Sequence, residues 1–92
     1  MTVISSELKI NDITYTFRLP ISRVIALERE TGKPISELDH SMGSLSLLVK
    51  YSIQRDGKYL TSSEYEEFLD NINADEFAEC IKAVSSVMNP KN

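Results

Sequence analysis

Apolar and polar residues alternate with period two between Ile4 and Leu19, and the alternation reverses phase at Asn11-Asp12. That reversal predicts a β-hairpin over about residues 3–19. With Asn11-Asp12 as a two-residue loop, Ile10 faces Ile13, Leu8 faces Tyr15, Ser6 faces Phe17 and Ile4 faces Leu19 on one apolar face. Lys9 then faces Thr14, Glu7 faces Thr16 and Ser5 faces Arg18 on a polar one. Asn and Asp both tolerate the positive φ that such a loop requires. A two-stranded ribbon is marginal alone, so its apolar face must be covered by the rest of the chain.

The remainder of the chain reads as helices at about 20–31, 34–40, 44–54, 61–70 and 73–88. In the first, Ile21, Val24 and Ile25 form the apolar stripe with Leu27 beside it, and Thr31-Gly32-Lys33-Pro34 is a left-handed stop followed by a proline. Pro34 opens a short turn of helix carrying Ile35 and Leu38. Ser44 is the expected N-cap of the third helix, whose Leu45, Leu47, Leu48, Val49, Tyr51 and Ile53 wrap most of its circumference. Gln54 to Lys58 reads as a loop. The last two helices repeat one device: Thr61 caps with Glu64 at N3 while Leu60 can pack on Tyr65, and Asn73 caps with Glu76 while Ile72 can pack on Phe77. Phe77, Cys80, Ile81, Val84, Val87 and Met88 give the final helix the most regular stripe in the chain. The tail from Asn89 is expected to fray, because Pro90 cannot continue a helix. The predicted fold is one α+β domain over residues 1–92, a hairpin packed on a bundle of four to five mostly short helices.

Composition narrows the function. With 92 residues, 41% of them hydrophobic, the chain is too apolar for disorder, and it has no run near the ~20 apolar residues of a membrane span. The start lacks the basic flank and apolar run of a signal peptide, so a cytoplasmic protein is expected. The net charge is −4, and all but Lys82 and Lys91 of the ten bases precede Tyr59, whereas half of the fourteen acids follow it. Without a basic stripe, nucleic-acid binding is disfavoured. One cysteine and one histidine make neither a disulfide nor, alone, a zinc site, and no cofactor is expected. Cys80 lies mid-stripe and reads as a small core hydrophobe, and His40 beside Asp39 as a solvated residue. Thr31-Gly32-Lys33-Pro34 lacks the upstream glycine and the Ser or Thr of a phosphate loop. No nucleophile, base and oxyanion donor can be assembled, so an enzyme is not expected.

Two features point instead to contacts with other groups. Leu47 and Tyr51 lie opposite Leu45 and Val49, so one packed face cannot cover both sets. Either the helix is buried all round, or Leu47 and Tyr51 remain for a partner or a second copy of the chain. Glu28 falls on the apolar side of its helix, either at the core edge reaching water or paired with a base such as Arg18 or Lys33.

The order of these elements carries a resemblance. A hairpin is followed by a helix ending in Leu27-Glu28-Arg29-Glu30-Thr31-Gly32-Lys33, then by the Pro34-Ile35-Ser36-Glu37-Leu38 turn and acidic helices opening at Leu60-Thr61-Ser62-Ser63-Glu64. From about Glu7 to Met88 this resembles the tail assembly chaperones of long-tailed bacteriophages and prophages. The resemblance implies a non-enzymatic helper in the bacterial cytoplasm, absent from the mature virion. Its partners would be the tape measure protein, which it coats, and the major tail tube protein, whose subunits it recruits. It also implies a longer form of the chain made by ribosomal slippage, for which the codons of Pro90, Lys91 and Asn92 would supply the run of identical bases. The competing class is a small acidic regulatory module of antitoxin or anti-repressor type.

Overall fold

The computed structural model describes residues 5–88; the Ile4–Leu19 pairing and the C-terminal tail lie outside them. Strands β1 (Ser6–Ile10) and β2 (Ile13–Phe17) pair antiparallel in the predicted register, with Ile10 opposite Ile13, Leu8 opposite Tyr15 and Ser6 opposite Phe17. Asn11 at φ 52° and Asp12 at φ 65° form the loop, the left-handed pair that matches the twist of the two strands.

Two further strands extend this ribbon, where a loop was expected. β3 (Ile53–Arg55) pairs with β2, and β4 (Lys58–Tyr59) pairs with β3, giving an antiparallel sheet in the order β1-β2-β3-β4. The reason lies in Asp56-Gly57, whose φ values of 55° and 76° make a second two-residue hairpin turn. Arg55 and Lys58 are its flanking pair. Of the edge strands, β4 is only two residues long, and β1 turns charged Glu7 and Lys9 outward, both of which discourage further pairing.

Among the described residues four α-helices complete the fold: α1 (Ile21–Thr31), α2 (Met42–Ser52), α3 (Ser62–Asp70) and α4 (Ala74–Met88). The class is α+β. The segment expected as helix 34–40 is a single 3₁₀ turn, Ile35–Glu37. α2 begins and ends earlier than expected. Ser41 rather than Ser44 is its N-cap, accepting from the Ser44 N–H at 3.3 Å. At its other end the Ser52 hydroxyl donates back to the Leu48 carbonyl at 2.8 Å, and Ile53 and Gln54 leave the helix for β3. Both expected capping boxes form. Thr61 and Glu64 exchange bonds of 2.9 and 3.2 Å, and Asn73 and Glu76 exchange bonds of 2.9 and 2.8 Å.

α4 lies over the hairpin and against α2, and α1 packs on α2. The core gathers Ile10, Tyr15 and Phe17 from the ribbon with Val49, Ile53, Tyr65, Phe68, Phe77, Cys80 and Val84. Tyr15 meets Phe68 edge-on at 5.0 Å between ring centres, a favoured aromatic geometry. Leu27 is fully buried yet stands outside this cluster, as the one buried side chain of α1.

Candidate interaction surface

Two of the three residues of the expected α1 stripe, Ile21 and Ile25, face water. Ile21 is 73% exposed and Ile25 44%, whereas Leu27 is sealed. Successive residues turn by about 100°, which places Arg23 and Val24 on either side of Leu27, and this face meets α2. An arginine thus takes a place that apolar periodicity gave to isoleucine.

The reason is aromatic and electrostatic. Alternation puts Tyr59 with Gln54 and Thr16 on the sheet face opposite Phe17. There the Arg23 guanidinium lies 4.0 Å from the Tyr59 ring centre and 4.9 Å from that of Tyr51. Its Nε–H donates at 2.9 Å to the Tyr51 carbonyl, one of the C-terminal carbonyls that α2 leaves without an internal partner. The Tyr51 hydroxyl donates to Glu30, which raises its pKa, and Lys50 pairs with Glu30 at 3.7 Å. Tyr59 donates to the Arg18 carbonyl at 3.2 Å.

The two residues proposed from sequence for partner binding, Leu47 and Tyr51, are both partly exposed on α2. Tyr51 is half-buried and engaged by Arg23 and Glu30, and Leu47, one helical turn earlier, is also half-buried. Glu28 is paired, though not with Arg18 or Lys33. Its Oε2 accepts from the Ile35 N–H at 2.8 Å. Gly32, at φ 73°, folds the chain back under α1, and Pro34 has no N–H, so Ile35 offers the first donor of the 3₁₀ turn.

The groups with reactive potential are built into structure. Cys80 is fully buried, and burial, with Glu76 and Glu79 nearby, pushes its thiol up to about 12. Burial likewise raises Tyr65 to about 12; its hydroxyl donates to the Ser46 carbonyl at 2.8 Å and contacts the Ser46 hydroxyl at 2.9 Å. Asp39 is held down to about 2 by hydrogen bonds from Ser41, including its N–H at 3.0 Å. His40 is exposed.

Two clefts flank the corner between α3 and α4 and share Ile72 as a common wall. The first, about 360 Å³, lies between the tip of the first hairpin and α3, lined by Ile10, Ile13, Tyr15, Phe68 and Glu67. Arg55 lines it too, held by Glu64 at 3.1 Å. The second, about 340 Å³, is lined by Met42 and Ser46 of α2, Leu69 of α3, and Ala74 and Phe77 of α4. Each opens beside an exposed apolar side chain, Ile13 at 40% and Met42 at 67%. Neither cleft is foreseeable from sequence. Their lining comes from six elements, β1, β2, β3, α2, α3 and α4, and only the exposed run of acids near them is legible.

Among the described residues no helix is long and apolar enough to cross a membrane. The chain matches no protein-family profile, no curated protein and no solved structure.

Proposed function

We propose that this chain is a non-enzymatic protein-interaction domain, a tail assembly chaperone of a long-tailed phage or prophage acting in the bacterial cytoplasm. The observation that carries the reading is the set of exposed apolar side chains, Ile13, Ile21, Ile25 and Met42, on a small domain whose thiol is sealed in its core. Apolar side chains left at a surface gain free energy when a partner covers them. The tape measure protein is the proposed principal partner and the tail tube protein the second, on the strength of the sequence resemblance between Glu7 and Met88. The resemblance also supports a longer slippage form sharing this N-terminal sequence.

Co-expression with the products of the flanking genes tests the proposal. The expected result is a long helical tape measure protein that is soluble and co-purifies with this chain, and aggregates without it. Flanking genes for a toxin or a repressor, with that product co-purifying instead, would contradict it.

A further inference from the structure

The chain carries its charges unevenly over its surface, and the α3–α4 corner is the extreme case. Glu66, Glu67, Asp70 and Asp75 are all exposed there, and none forms an ion pair among the described residues. Between Tyr59 and Ile81 the chain carries seven acids and no base, and of these Glu64 is paired with Arg55 and Glu79 with Lys82. Arg55, the base lining the first cleft, is spent on Glu64. The corner therefore combines two adjoining clefts, the first of mixed apolar and polar lining and the second mainly apolar, with a rim of unpaired carboxylates of which Glu67 lines the first cleft.

We propose that this corner docks a segment of a second protein in which apolar side chains alternate with lysine or arginine. Two apolar side chains enter the clefts on either side of Ile72, covering Ile13 and Met42, and flanking bases meet the rim. This inference rests on the reading of the chain as a partner-binding domain and adds the chemistry of the bound segment; it does not depend on which protein supplies it. Apolar contact supplies non-directional affinity, while the carboxylates select sign and raise the association rate. An acidic apolar segment is repelled by the same rim.

A second copy of the chain is the poorer occupant. Its best matching face is the outside of α1, where Ile21 and Ile25 are exposed, but there Glu28 and Arg29 adjoin the stripe and cancel in charge. Each copy is also net −4, so two copies repel at long range.

Fluorescence anisotropy with two labelled model peptides tests the proposal. One carries leucine at helical spacing with lysine between, the other the same leucines with glutamate between. Binding of the lysine peptide is expected to weaken about tenfold or more in the double variant Asp70→Lys, Asp75→Lys and again in Met42→Lys. Glu7→Lys, the same charge change on the outer face of β1, is expected to alter binding less than about twofold. All four substituted positions are exposed, and circular dichroism melting confirms that each variant is folded. Equal binding of both peptides, no binding of the lysine peptide, or equal weakening by Glu7→Lys would overturn the proposal. So would self-association in sedimentation that the double variant abolishes, because the occupant would then be a second copy. Peptide binding at the corner with no tape measure co-purification would overturn the chaperone reading alone.

Discussion

The two sides of α2 are held by different physics. On one side, the sheet, α3 and α4 enclose a continuous core in which Tyr15, Phe17, Phe68, Phe77 and Cys80 are buried together. On the other, α1 seals Leu27 alone and attaches otherwise through Arg23, Tyr51, Glu30 and Lys50, groups that keep some contact with water. Dispersion and burial sum over many atoms on the first side. On the second, a few directional contacts hold an 11-residue helix whose isoleucines face outward. The core side is thus expected to open only with the whole molecule, and the α1 side locally.

The largest effect expected is from Phe17→Ala. Phe17 is fully buried, pairs across the sheet with Ile53, and belongs to the main cluster. Its truncation is expected to cost ~3–5 kcal/mol in denaturant unfolding. An unchanged midpoint would show that the ribbon is not part of the core. Leu27→Ala comes next, at ~2–3 kcal/mol, near the lower end for leucine because half-buried neighbours can close around the gap. Its signature is release of α1 with the Tyr15–Phe68 contact retained, seen as local chemical-shift changes; loss of all dispersed resonances would make the two sides one unit.

Arg23→Ala is expected to cost about 1–2 kcal/mol, the sum of a carbonyl hydrogen bond and stacking over two tyrosine rings. Because α1 is involved, that cost should appear mainly as faster exchange of α1 amides. A variant as stable and as protected as the parent would mean that Leu27 alone holds the helix. The smallest effect belongs to Asp39, on the loop leading to α2. Its folded pKa of about 2 lies below the ordinary 3.8, so the stability it adds is complete above the ordinary value and is lost as pH falls from there through about 2. The Asp39 carboxyl resonance followed through that window should titrate well below 3.8, and Ser41→Ala should move it upward.

The core side is the more legible in sequence, for reasons that trace to particular residues. Period-two alternation around Asn11-Asp12 specifies the hairpin register because every slip would move Tyr15 and Phe17 to the polar face. The boxes at Thr61 and Asn73 place α3 and α4, since their capping bonds are local. The second hairpin escapes a reading by periodicity although Asp56-Gly57 is a strong turn signal, because β4 is too short to show alternation. Where α1 is concerned, counting apolar residues chooses Ile21 and Ile25 and overlooks Arg23. Its partners, the rings of Tyr51 and Tyr59 and the end of α2, are 28 or more residues away, and no local pattern reports them. The clefts at the corner are illegible for the same reason.

Native-state hydrogen exchange tests the difference between the two sides most directly. Amides of Ala26 to Thr31 in α1 are expected to exchange through local openings at a free energy well below that of global unfolding, with little dependence on denaturant. Amides of Cys80 to Val87 in α4 are expected to exchange only with global unfolding, and the sealed Cys80 thiol to react with an alkylating reagent at the same rate as that opening. Equal protection of α1 and α4, with one common denaturant dependence, would contradict the account.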